Sequence, residues 1–263
     1  MKRLLCALAA WLLAVPVLAG AVGLQVEPVE YEIDGVAYQS LLIHAGDDAA
    51  ARPGLVMVPN WMGINQGAIE LARQIAGDRY VVLLADMYGT SVRPADGREA
   101  AAAAGSVLGD RAVARQRINR AVQALTDSAG ERLQAGKVAA IGFCFGGTTV
   151  LELARSGADV AAVVALHGNP SPVMPIDDAG IQSAVLVLHG ADDSAVPEQG
   201  LREFEQEMRE AGVDWTLVSF GGAVHCFAEP SANRPLNCLY HPTVAKRSFG
   251  IMHAFLAEHF EGR

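Results

Sequence analysis

Short apolar runs alternate with amphipathic stretches along this chain from Gly54 onward. Leu55-Val56-Met57-Val58, Tyr80 to Ala85, Val138 to Phe143, Ala161 to Leu166, Ala184 to Leu188 and Trp215 to Phe220 are strand-length and largely apolar. Runs of this kind predict strands buried on both faces. Between them, Ala68, Ile69, Ala72 and Ile75 recur at helical spacing until Gly77 stops them. Leu201, Phe204, Met208 and Ala211 mark one face of a second helix, and Phe249, Met252, Phe255, Leu256 and Phe260 line a last one. The region from Arg98 to Asp127, rich in alanine and arginine, reads as helix broken near Gly105 or Gly109. A helix also follows Gly146-Gly147 and runs through Arg155.

Strands alternating with helices imply an α/β fold with a mainly parallel sheet covered on both sides. Tyr31 to His44 alternates more strictly and carries Asp34-Gly35, which predicts an antiparallel hairpin at one edge of the sheet. Ligands of such sheets bind beyond the carboxyl ends of the strands. The residues that directly follow each strand are therefore the place to look for chemistry.

The first residues belong to a different pattern. Lys2 and Arg3 precede an apolar run from Leu4 to Leu18, and Val17-Leu18-Ala19 offers a cleavage site. This is the layout of a secretory signal peptide, residues 1–19, cut after Ala19 or Ala21. Residues 20–263 then form one α/β domain, since no linker, repeat or low-complexity block divides them. The destination is periplasmic or secreted, with no membrane association after cleavage.

The formal charge of −9 becomes more negative still once Lys2 and Arg3 are removed. With no basic cluster, nucleic acid is excluded as an expected partner. The expected partner is a small molecule. No group of residues has metal-ligand spacing, so neither metal nor cofactor is expected.

Gly142-Phe143-Cys144-Phe145-Gly146 stands where a strand gives way to a helix. This is the nucleophile-elbow pattern with cysteine in place of serine. The turn is so tight that side chains two residues either side of the nucleophile would collide with strand or helix. The helix N-terminus beneath the sulfur also favours a thiolate. On this fold the acid follows the nucleophile in the chain and the histidine comes last. His189-Gly190-Ala191-Asp192-Asp193 follows a later strand and offers two carboxylates, of which Asp193 is favoured over Asp192. His225, on the loop after the last strand, takes the place of the general base. Backbone N–H groups of Phe145 and Trp61, the latter in the Pro59-Asn60-Trp61-Met62-Gly63 loop, are the candidate oxyanion donors. His167 and His189 directly follow strands and could share the same rim.

These motifs make the chain resemble the dienelactone hydrolase family of α/β-hydrolases. The resemblance rests on Gly-Phe-Cys-Phe-Gly-Gly at 142–147, Asp193 four residues before Pro197, His225 followed by Cys226-Phe227, and Ala85-Asp86-Met87-Tyr88-Gly89. It implies that Cys144 attacks an ester carbonyl, His225 moves protons, Asp193 holds the imidazole, and the reaction runs through a thioester. The pocket would be lined by Asn60, Tyr88 and Glu229.

Two positions depart from the family pattern. Asn60 stands where dienelactone-cleaving members carry a glutamate that pairs with the resting thiol. Glu229 stands where they carry an arginine that holds the substrate carboxylate. Arg98 and Arg111 lie in the region of the family's other carboxylate-binding arginine, with no motif to choose between them. Together with the negative charge, these changes point to a neutral ester, lactone or thioester substrate. They also keep open a non-catalytic binding protein on the same fold.

Leaving aside Cys6 in the leader, Cys144, Cys226 and Cys238 form an odd set. The expected disulfide joins Cys226 to Cys238 and leaves Cys144 free. A Cys144–Cys226 bridge, which would block the nucleophile, is the alternative.

Overall fold

The computed structural model describes residues 23–46, 50–234 and 237–262, so the leader expected at 1–19 lies outside the described residues. Among the described residues the main sheet has eight strands. The first two, β1 (Gln25–Ile33) and β2 (Val36–His44), form an antiparallel hairpin whose Asp34-Gly35 turn has positive φ at both residues. That conformation matches the twist of the flanking strands. The remaining strands are β3 (Arg52–Val58), β4 (Val81–Leu84), β5 (Leu133–Phe143), β6 (Ala162–Leu166), β7 (Ala184–Gly190) and β8 (Trp215–Phe220). Their order is β1-β2-β4-β3-β5-β6-β7-β8, parallel from β4 to β8, with the hairpin paired antiparallel to β4. The mainly parallel α/β sheet with an antiparallel edge is thus the fold read from the sequence. The hairpin starts six residues earlier than its alternation suggested, because β1 is only partly covered and tolerates polar residues.

The continuous apolar runs have a simple cause. In β4, Val81 and Leu83 belong to one hydrophobic cluster, and Val82 and Leu84 belong to another on the opposite face. The first cluster is closed by α2 (Gly97–Leu108), α3 (Arg111–Ala129), α4 (Phe145–Arg155) and α5 (Glu198–Ala211). The second is closed by α1 (Gln66–Ala76) and α6 (Pro242–Glu261). Each fully buried Leu or Val on these strands is worth about 1.5–3 kcal/mol. Polar residues at every second position would forfeit that on one face.

The 98–127 helical region is broken at Gly109, with Asp110 capping α3 through its side chain. Among the described residues, no helix is long and apolar enough to cross a membrane. A two-stranded ribbon, β9 (Asn233–Arg234) with β10 (Cys238–Leu239), was not foreseen. Two residues per strand leave no periodicity to read.

Candidate active site

The chain builds β3 and β4 in one direction from the middle of the sheet and β5 to β8 in the other. The loops after β3 and β5 therefore diverge and open a crevice between them. Asn60 and Trp61 follow β3, Cys144 follows β5, His167 follows β6, Asp193 follows β7 and His225 follows β8. Five loops thus deliver their polar groups to one rim. The cavity there has a volume of about 380 Å³. Its walls include Asn60, Trp61, Met62, Cys144, His225 and Glu229, with Arg234 on the β9 side.

Cys144 has φ 54° and caps α4. The flanking glycines are required by contact: a Cβ on Gly142 would lie 2.1 Å from the Gly146 carbonyl oxygen, and one on Gly146 would lie 2.1 Å from that of Val58. Among described residues other than glycine, positive φ occurs at Asp34 in the hairpin and at Cys144, His167 and Cys226 around this cavity. Strained backbone of this kind costs of order 1–3 kcal/mol per residue and persists only where the surroundings enforce it. The enforcement is visible at Cys144, whose N–H donates to Leu166 O at 3.0 Å and to His167 Nδ1 at 3.1 Å.

His225 Nδ1 lies 2.7 Å from Asp193 Oδ2, and Asp193 Oδ1 accepts the N–H of Ala195 at 2.9 Å. The Asp193 side chain is buried, whereas Asp192 is exposed. Burial works against a charged imidazole at His225. Hydrogen bonds to Asp193 and to Cys144 outweigh it and push the His225 pKa up to about 10. The imidazolium is therefore the stable form beside Cys144 at neutral pH. His167 is fully buried, and its pKa is held well below the usual value by that burial and by the charge on His225. With Nδ1 accepting from Cys144, neutral His167 carries its proton on Nε2.

Asn60 and Glu229 meet across the cavity floor. The Asn60 side-chain amide donates to Glu229 Oε2, while Asn60 Oδ1 accepts from Met62 N at 2.9 Å. Burial raises the Glu229 pKa to about 7, against the lowering effects of Asn60 and His225. The Asn60 turn takes up the N–H groups of Met62 and Gly63 and not that of Trp61. Tyr88, expected to line the pocket, is buried. Its ring lies 5.4 Å from that of Phe145, and its hydroxyl donates to Trp61 O at 2.9 Å. Tyr88 thus supports both loops that were read as carrying oxyanion donors.

Neither arginine proposed for a substrate carboxylate reaches the cavity. Arg98 is exposed on α2. Arg111 lies 3.9 Å from Glu152, which also pairs with Arg115 and Arg155 in a buried ionic cluster. The cation that does line the cavity is Arg234, which sequence reasoning missed along with the ribbon that bears it. Cys226 and Cys238 form a disulfide, and Cys144 is free. The bridge ties the ribbon to the residue after His225, and Leu239 N donates to His225 O at 3.0 Å. Among the described residues, no group of three or more His, Cys, Asp or Glu side chains could hold a metal ion.

Comparison with known proteins gives the family. The sequence profile of the dienelactone hydrolase family matches residues 42–260. The chain belongs to the dienelactone hydrolase family. Among solved structures it is similar to a dienelactone hydrolase-like promiscuous phosphotriesterase from metagenomic libraries, with 37% identity and a TM-score of 0.83. That match covers 89% of this chain and 98% of the other. A probable 2-oxo-3-(5-oxofuran-2-ylidene)propanoate lactonase from Bradyrhizobium sp is 27% identical over 80% of this chain and 86% of its own length. A thermophilic esterase from Thermogutta terrifontis, 18% identical with a TM-score of 0.62, shares the fold. This dienelactone hydrolase family member is therefore a hydrolase-type α/β protein acting within an ester- and lactone-cleaving family.

Proposed function

We propose that the chain is an exported hydrolase of small carboxylic esters or lactones that works through Cys144, His225 and Asp193. One observation carries the reading. His225 is hydrogen-bonded to buried Asp193 and lines the same cavity as Cys144, which sits on a strained elbow at a helix N-terminus.

In this reading His225 carries the proton when the Cys144 sulfur attacks the ester or lactone carbonyl. The carbonyl oxygen takes the developing negative charge and is met by the backbone N–H groups of Phe145 and Trp61. Collapse breaks the acyl C–O bond, and His225 passes its proton to the departing alkoxide. In a lactone that alkoxide stays tethered to the acyl group. The acyl-enzyme is a thioester. Water, losing a proton to His225, then attacks it and releases the acid and Cys144. Asp193 keeps the imidazole oriented through both steps.

Glu229 and the overall negative charge favour neutral substrates over a dienelactone carrying a carboxylate. The similarity to a promiscuous phosphotriesterase adds a neutral triester to the substrates worth testing. Export is supported by the leader pattern and by the Cys226–Cys238 disulfide, since such bridges persist in oxidising compartments.

The test is turnover of a panel of neutral aryl esters, lactones, a dienelactone and an aryl phosphotriester by wild type and Cys144→Ala. Turnover by wild type alone, strongest on the neutral carboxylic esters and lactones, supports the proposal. Equal rates at buffer background for both proteins would replace it with a non-catalytic binding role.

A further inference from the structure

Two buried polar atoms beside the catalytic cavity face each other without a partner. Glu229 Oε1 and His167 Nε2 are both closed to solvent, make no hydrogen bond and lie 3.8 Å apart. The surrounding bonds fix what each presents. Asn60 Oδ1 is engaged by Met62 N, so its amide group points donors at Glu229 Oε2. His167 Nδ1 is engaged by Cys144 N, so its Nε2 presents a donor to Glu229 Oε1. Both carboxyl oxygens therefore look at donors. A proton on either oxygen takes up acceptor capacity where a donor points, whereas the carboxylate accepts from both sides without that conflict.

The two partners are not arbitrary. Asn60 begins the loop that carries the Trp61 N–H, and His167 holds the backbone of Cys144, next to the Phe145 N–H. We infer that Glu229, as a carboxylate, is a positioning residue that braces the two oxyanion-binding loops against each other through Asn60 and His167. This inference rests on the hydrolase reading and adds to it a proton-dependent control of the same site.

The titratable groups that face Glu229 come from every neighbouring loop. His167 follows β6, His225 follows β8, and Cys144 stands across the cavity at the start of α4. Asp193 and His189 lie on the far side of His225. Arg234 is the cation of the ribbon wall. Burial brings Glu229 into the neutral range, to about 7, so the brace tightens as the carboxyl ionises there. A sub-ångström approach of His167 to Glu229 is enough to complete it, since 3.8 Å lies just beyond hydrogen-bonding distance.

The experiment is a pH series from 5 to 9 of kcat and KM for a neutral aryl acetate, comparing wild type with Glu229→Gln. Acylation of Cys144 is followed by mass spectrometry in both. For wild type, kcat rises through a limb near pH 7. In Glu229→Gln one donor–acceptor match is lost, so kcat falls about tenfold with KM little changed, and the limb disappears. If Cys144 is acylated in both proteins and Glu229→Gln keeps the limb and the wild-type kcat, this inference is overturned alone. If Cys144 is not acylated even in wild type, the hydrolase reading fails and takes this one with it. Should Glu229→Gln not fold, Asn60→Glu/Glu229→Asn returns a carboxylate to the same contact from the opposite loop. Recovery of the limb and of most of kcat supports the brace, and a folded exchange variant without the limb overturns it.

Discussion

Asp193 grips His225 with a carboxylate that is itself held from behind. Its Oδ2 lies 2.7 Å from His225 Nδ1, while Oδ1 accepts from Ala195 N at 2.9 Å. The second bond fixes the plane of the carboxyl group and with it the direction of the first. Asp193→Asn keeps the shape but presents a donor where Nδ1–H needs an acceptor. Ester turnover should fall by about 10²–10⁴-fold. Asp192→Asn, on an exposed neighbour, should remain within about twofold, and kcat/KM for both variants checks the choice between the two carboxylates.

Replacing the nucleophile is the severest change. Cys144→Ala should lower kcat by at least about 10⁴-fold while leaving the fold intact. Circular dichroism should be unchanged, and the acyl adduct seen by mass spectrometry should be lost.

The protonated state of His225 sets an upper limit on the working pH. Hydrogen bonds to Asp193 and Cys144 keep its pKa near 10, so the proton needed by the leaving group is present across the neutral range. Because the folded pKa lies above the ordinary value of 6.5, this group's contribution to stability is complete below about 6.5. It is lost as the pH rises through about 10. Activity at high pH should decline in the same interval. A pH profile of kcat/KM that fell instead near 7 on the alkaline side would contradict the assignment.

Glu229 has the opposite effect on stability from a salt-bridged acid. Its pKa rises on folding from 4.5 to about 7, so the fold becomes less stable as the pH climbs between those values, and then no further. A shift of that size corresponds to about 3 kcal/mol. Glu229→Gln should therefore be more stable than wild type at pH 8 and about equal at pH 4.5. Urea unfolding at the two pH values measures the difference.

The Cys226–Cys238 bridge closes a short loop, with a sequence separation of 12. In the chain-entropy model such a crosslink contributes about 3 kcal/mol. Cys226→Ser/Cys238→Ser should unfold at a lower Tm. Because the ribbon it anchors forms one wall of the cavity, KM should rise more than kcat falls. A calorimetric scan and steady-state kinetics on the same variant separate the two effects.

Much of this molecule is legible in its sequence. Continuous apolar runs of strand length read as strands covered on both faces, because a strand with one wet face would alternate. Val81 to Leu84 shows this directly, dividing residue by residue between two cores. The elbow was equally legible, since glycines at 142 and 146 leave no room for a Cβ against Gly146 and Val58. The strand-end positions of Asp193 and His225 followed from topology.

What the chain alone could not decide was every contact between loops far apart in sequence. Asn60 and Glu229, read as two separate departures from a family pattern, turn out to be partners 169 residues apart. Tyr88 bonds to the Trp61 loop, Arg111 joined an ion cluster, and Arg234 reached the cavity on a ribbon too short to show a period. Local sequence encodes periodicity and tight turns, because those depend on near neighbours along the chain. Which loop ends meet, and with what charge, depends on how the sheet twists and stacks its strands. Only the folded chain sets that.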